Sequence, residues 1–253
     1  MKEFLFGKFC QIAGFASLIF LLFYTVEYGF FWFIISFVYF KLIVGLLGNQ
    51  IGQHRYFSHG SFETGKKGHV LLAYTSLLTG ISPIIYASIH RHHHIYSDTE
   101  EDPHSPLKSF WKSFIGWTFD TSLKFRVTPA MDLVNDKTVL YVHNNFPYII
   151  SGLLILTSLI TWKIPVFVIL AGIGWNHLHM GLIRTVLVHT KLPGSYRNFN
   201  TNDYSWNNKF LQLIDIGEGL HNNHHAYPQK YDQAIEPDEF DPAGWIVKKF
   251  LAK

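Results

Sequence analysis

Apolar residues in this chain come in long blocks almost free of charge, with polar residues gathered between them. Lys2 and Lys8 precede a run without charged residues from Phe9 to Val26. A second run, from Tyr28 to Leu47, holds only Lys41, near its far end. Phe146 to Trp162 and Ile164 to Ile183 are two more, the last carrying His177 and His179. Each block is close to the ~20 residues that a helix needs to cross the hydrocarbon core of a bilayer. Four membrane-spanning helices are therefore predicted, at about 9–26, 28–47, 146–162 and 164–183. The first block also resembles the start of a secreted protein. No small-residue cleavage site follows it, however, and another apolar block comes at once.

A fifth block, Gly68 to Ile89, contains no Asp, Glu, Lys or Arg, yet Gly80, Ser82 and Pro83 interrupt it. Proline breaks a helix interior, so two short elements that turn back to the same side are predicted. Residues 95 to 145 are mixed and charged, and read as a cap outside the membrane. Near the end, Asp241-Pro242 offers a helix cap followed by a first-turn proline. Trp245, Ile246, Phe250 and Leu251 mix with Lys248 and Lys249 there, as in a short interfacial or packing helix.

Composition agrees with a membrane protein. Charged residues make up 15% of the 253 positions, against about 25% in soluble domains. A formal charge of +3 and the lack of any basic run argue against nucleic acid as a partner. Cys10 is the single cysteine, so neither an internal disulfide nor a thiolate metal site is expected. Against that one cysteine stand 15 histidines.

Eight of the histidines form three clusters. His54-Arg-Tyr-Phe-Ser-His59 is the first, His90-Arg91-His92-His93-His94 the second and His221-Asn-Asn-His224-His225 the third. On a helix, His90, His93 and His94 share one face, while His92 points away. The third cluster repeats that spacing. Neutral imidazoles suit iron, zinc or copper. Eight exceed the four ligands of a tetrahedral zinc and fit two ions of five or six coordination. Singly, each cluster also reads as unrelated histidines, a basic surface helix or a solvated loop; together on one face they read as a metal site. His69, His143, His177 and His179 read as core histidines, and His104, in Asp-Pro-His-Ser-Pro, as a turn residue.

The boxes HRYFSH, HRHHH and HNNHH, in this order and with the flanks YSDTEEDPHSP and GEGLHNNHHAYP, resemble those of membrane-bound fatty acyl desaturases. The likeness is to the stearoyl-CoA (delta-9) desaturase superfamily in its short bacterial form, and covers roughly residues 45 to 230. It implies an all-α integral membrane protein with four spans, a cytoplasmic helical cap and a dinuclear site of two ferrous ions held by histidines. It also implies a ninth ligand after the fourth span, for which His189 is the candidate. The family usually has an asparagine four residues earlier, where this chain has Thr185. Asp98, Asp102, Asp215 and Glu218 stand near the boxes as carboxylates that would orient the rings. Arg55 and Arg91 are candidates for the substrate's head group or for those carboxylates.

The resemblance implies insertion of one cis double bond, at carbon nine, into a long-chain acyl group by use of dioxygen. Electrons would come from a ferredoxin or cytochrome b5, since no flavin or haem motif is visible. One desaturase domain would span 1–253. With the boxes on one face, Lys66, Lys67, Lys108, Lys112, Lys124, Lys248, Lys249 and Lys253 share that face. The opposite turns hold only Glu27 and Lys163, which makes the box face cytoplasmic by the positive-inside rule. Two rivals remain in view: a lipid hydroxylase or ketolase with the same metal site, and a metal transporter, which would place its ligands mid-membrane.

Overall fold

The computed structural model describes residues 2–107, 109–120, 122 and 130–253. Lys108 and Lys124, counted above with the cap's basic residues, lie outside the described residues. Four helices are long and apolar enough to cross a membrane: α1 (Lys2–Tyr28), α2 (Phe31–Ser58), α7 (Lys137–Ser158) and α8 (Ile164–His189). Each is longer than its predicted block; α1 and α8 contain theirs, α2 starts three residues later than predicted and α7 ends four residues earlier. The extra turns of α2 and α8 carry them past the apolar blocks to His54 and His189.

The apolar run 68–89 does break as its residues predict. It forms α3 (Lys66–Leu77) and α4 (Pro83–Tyr96). Gly80 takes φ +84, and a Cβ there would sit 2.7 Å from Ile173 Cγ2. Ser82 then caps α4 by accepting from Ile85 N, with Pro83 in the first turn, where its missing N–H costs no bond. The cap continues through α5 (Phe110–Phe114) and α6 (Met131–Asn135). After α8 come three short helices, α9 (Lys209–Asp215), α10 (His221–Ala226) and α11 (Pro242–Ile246). Asp241 caps α11, accepting from Ala243 N at 3.1 Å.

Two physical features position the site. First, α1 and α8 touch backbone to backbone: a Cβ on Gly14 would lie 2.7 Å from Gly174 N. Close approach through small residues is how helices associate where lipid removes the hydrophobic drive. Second, the winding of α2 widens from Phe40 to Ser58 into a π-helix, a form concentrated at functional sites. His59 N donates to His54 O at 3.3 Å. One wide turn therefore stacks two histidines that an ordinary helix would splay apart. Away from the cap the surface is apolar, with Phe23, Val26, Phe30, Leu159 and Ile160 exposed. Lys163 sits at that end over the rings of Tyr24, Trp32 and Trp162, in keeping with the aromatic belts of membrane interfaces.

Candidate metal centre

The nine histidines singled out from the sequence fall into two groups whose ring nitrogens converge. His54, His59, His90, His94 and His224 form one; His93, His189, His221 and His225 form the other. The boxes do not map one to one onto the groups. The first box serves the five-membered group alone. The second sends His90 and His94 to that group and His93 to the other. The third sends His224 to the first group and His221 with His225 to the second. Spacing of i, i+3 and i+4 on α4 and α10 makes this possible, since each helix presents adjoining rings to two neighbouring points.

Within the first group, Nε2 atoms lie 2.9 Å apart for His54 and His224, 2.9 Å for His59 and His90, and 3.1 Å for His90 and His94. The His94 and His224 nitrogens are 3.0 Å apart. In the second group, His189 and His221 are 3.0 Å apart, as are His221 and His225. Two ligand nitrogens ~2.1 Å from one ion and at right angles stand about 3.0 Å apart, whereas tetrahedral angles would set them about 3.4 Å apart. The spacing thus fits ions of five or six coordination.

Carboxylates decide which nitrogen carries the proton. An ionised carboxylate only accepts, so the Nδ1–H of His93 donates to Asp102 (3.0 Å), that of His189 to Asp98 (2.8 Å) and that of His225 to Asp203 (2.8 Å). Glu218 serves both groups, with Oε2 3.1 Å from His221 Nδ1 and Oε1 2.7 Å from His54 Nδ1. These bonds leave Nε2 lone pairs facing one another, an arrangement that repels itself until a cation lies between them. The residues present therefore fit a pair of metal ions.

Electrostatics points the same way. Burial, reinforced by neighbouring imidazoles, holds His59, His90, His94 and His224 well below the usual imidazole range. Burial also brings His225 down to about 4, against the pull of Asp203. These rings are neutral at pH 7 and ready to bind. Burial opposes charge on Glu218, Asp98, Asp102 and Asp203 too, but the adjoining imidazoles hold all four below the ordinary carboxylate range.

Asp98, Asp102 and Glu218 thus lie against imidazoles of the two groups. Asp215 does not: it meets His179, Arg184 and Gln50. The sequence placed it near the third box, but α9 turns its side chain toward the spans. Arg55 is corrected too, and Arg91 is largely committed elsewhere. Arg55 is buried, and its guanidinium is spent on Tyr231 O, Gly217 O, Gln50 Oε1 and Asp241. Arg91 grips Asp132 with two bonds of 2.6 and 2.8 Å and also reaches Phe57 O and Ser58 O. Arg55 has no donor left for a head group, Arg91 keeps one N–H of its five, and neither meets the ring-orienting carboxylates. His92 turns from its box toward Glu101 O. His69 and His143 are half-buried rather than core residues, meeting Tyr56 and Ser82, while His104 closes a turn in which its N–H donates to Asp102.

Sequence reasoning missed Asp203. It lies in a loop 22 residues before His225, with no spacing to betray it; its local bonds, from Ser205 N and from the hydroxyls of Thr201 and Ser205, are those of an ordinary turn. It also missed why the third box contains two asparagines. Asn222 accepts from Asn198 N and Phe199 N, and Asn223 donates to Gln233 O and Glu239, so they pin α10 to the surrounding loops. Beside the metal groups lies a pocket with Ile81, Tyr86, Ile89, Trp117 and Met180 on its walls. Thr185 lines it as well, with its hydroxyl turned to Ser113 O.

Comparison with known proteins agrees with this geometry. The family model described as fatty acid desaturase matches residues 30–252. The chain is 34% identical over 223 residues to delta-9 acyl-lipid desaturase 1 of Arabidopsis thaliana, covering 82% of this chain and 68% of that one. It is 33% identical to the sn-1 stearoyl-lipid 9-desaturase of Anabaena variabilis, covering 83% and 76%. To the acyl-CoA C20 delta5-desaturase of Anemone leveillei it is 33% identical, covering 81% and 67%. With its four candidate spans and two convergent imidazole groups, the chain belongs to the fatty acid desaturase family.

Proposed function

We propose that this chain, as a single domain, uses dioxygen and two ferrous ions to insert a cis double bond at carbon nine of a long-chain acyl group. The observation that carries the reading is the contact between metal-binding imidazoles and an apolar pocket. His90, His93 and His221 share that pocket with Ile81, Tyr86, Ile89, Trp117 and Met180. Ile81, Ile89 and Trp117 also line a second pocket, bordered by Phe4, Gly7 and Lys8. We read the two pockets, which share Ile81, Ile89 and Trp117, as parts of one route for an extended alkyl chain from the imidazoles to the start of α1.

Iron bound there would supply the oxidising power to remove two hydrogens from an unactivated methylene pair; those hydrogens, dioxygen, two external electrons and two protons would leave as two waters. The chain's own residues have simpler tasks. The pocket walls hold adjacent methylenes beside the imidazoles and exclude water. The carboxylates keep each Nδ1 proton in place and leave Nε2 free. Electrons would come from a ferredoxin or a cytochrome b5. Lys66, Lys67, Lys112, Lys248, Lys249 and Lys253 on the metal side support a cytoplasmic site.

The test is a fatty-acid profile by gas chromatography and mass spectrometry. The chain would be made in an aerobic host without its own desaturase, beside His94→Ala and His225→Ala. A delta-9 mono-unsaturated acid, lost in both variants, is expected. A hydroxy acid would move the reading to the sister chemistry. No new lipid from iron-loaded protein supplied with a donor would overturn it.

A further inference from the structure

A second cavity lies on the other side of α8. Met180, Arg184 and Thr185 face the metal-side pocket, whereas Trp175, His179, Leu182 and Ile183 face this one. Its volume of about 480 Å3 is within the ~300–1,000 Å3 usual for ligand sites. The remaining wall comes from α2, with Phe37 and Phe40, and from the end of α9, with Leu213 and Ile214. All the lining is apolar except Lys41 and His179.

The charges around it do not balance. Asp215 is buried and accepts from Arg184 at 2.9 Å and from Gln50 at 2.7 Å, and also meets His179 Nε2. Its charge is thus taken up by Arg184. Lys41 donates to the carbonyl of Ile214 and lies 5.7 and 5.3 Å from the ring centres of Phe37 and Phe40. Among the described residues it has no carboxylate partner. Arg184 and Asp215 thus pair, and Lys41 is left as the charged group on the cavity wall without an ion-pair partner among the described residues. Lys41 is also ten residues into α2, about 15 Å from its start, where an uncompensated ammonium is costly. An indole N–H on the same wall, that of Trp175, is buried without an acceptor.

We propose that this cavity binds one anionic amphiphile, with its carboxylate or phosphate on Lys41 and its alkyl chain along Phe37, Trp175 and Leu213. Net positive charge selects the head, and the lining selects the tail. The site lies across α8 from the imidazoles and does not depend on what the metal centre does.

Bromine quenches tryptophan only on close approach, so Trp175 reports occupancy directly. The metal-loaded protein in neutral detergent would be titrated with 9,10-dibromostearate, with dibromo-acyl phosphatidylglycerol and with dibromo-acyl phosphatidylcholine. Subtracting the same titrations of Trp175→Phe isolates the cavity from the pocket beside Trp117. Saturable quenching by an anionic probe is expected, with half-saturation raised about fivefold or more in Lys41→Met and restored in Lys41→Arg. Quenching by the phosphatidylglycerol alone identifies a membrane phosphate; quenching by the stearate alone identifies a free acid. Equal quenching by the phosphatidylcholine would overturn the proposal, as would a Lys41→Met that keeps its metal and binds both anions as before. Should Lys41→Met fail to fold, the contrast between anionic and zwitterionic probes on the unaltered protein still decides.

Discussion

The two imidazole groups are built to different plans. In the group of four, every ring has a carboxylate behind it: Asp102 for His93, Asp98 for His189, Glu218 for His221 and Asp203 for His225. In the group of five, among the described residues, only His54 has one, Glu218. The first plan uses fewer ligands, each fixed in tautomer and made more basic by an anion. The second uses one more ligand and relies on packing to orient its rings, as where His59 lies against His54, His90, His94 and His224. A divalent ion in the group of four would meet four carboxylates, one of them shared; one in the group of five would meet only the shared one. Two chemically unlike ions, held by similar nitrogens, are the consequence.

Glu218 is the residue both plans share, so removing its charge should cost most. Glu218→Ala takes the acceptor from His54 and from His221 together. Losses of about 10–100-fold in metal affinity at each group are expected, read as metal per chain after dialysis against a graded chelator. A variant that loses only one ion would break the view that Glu218 serves both groups.

Asp203→Asn should affect one group alone. His225 would lose the anion that holds its Nδ1 proton, and one ion of two should weaken about 10–100-fold while the other stays. Metal content falling from two toward one, with the second ion unchanged, would sharpen the comparison. Simultaneous loss of both would show that the groups share more than Glu218.

Acid should act more mildly. Buried rings such as His94 and His224 sit well below 6.5 in the folded protein, whereas the unfolded chain titrates near 6.5. Below that pH the unfolded chain takes up protons that the folded one refuses, so metal-free stability should fall as pH drops from 7 to 5. Since His59, His90, His94, His221, His224 and His225 are already neutral, binding of metal at pH 7 should release far fewer protons than there are rings. Calorimetry in buffers of different ionisation enthalpy checks this: a release near one proton per imidazole would overturn it.

How much of this was legible in the chain depends on how local each signal is. The four spans were, because apolar blocks are a property of neighbours in sequence. So was the break at Gly80 and Pro83, and so were the nine histidines, from their boxes and from family likeness. What the spacing did not reveal is the sharing of each box between two groups, since i, i+3 and i+4 on a helix fix a common face and not a common ion. The wide winding of α2 was hidden too, although H-x4-H makes sense only with it. Arg55 and Asp215 misled because charge near a box in sequence says nothing of where a side chain turns. Arg55 runs into the core to Asp241, 186 residues away. Asp203 needed the fold itself.

The smallest effect should come from His104, which tests where the group of four ends. With His93 and Asp102 it forms a third cluster of possible ligands, yet His93 already points its Nε2 at the other three rings. His104 Nδ1 is 3.8 Å from Asp102, too long for a hydrogen bond, and burial pushes the ring down to about 3. Its backbone N–H, which any residue supplies, is what holds Asp102 in place at 3.0 Å. His104→Gln should therefore leave metal content within error and change metal affinity less than twofold, while Asp102→Asn, in the same turn, weakens one ion. If His104→Gln instead lost that ion, the group of four would have to be redrawn as five, and the contrast between the two plans would narrow to their carboxylates.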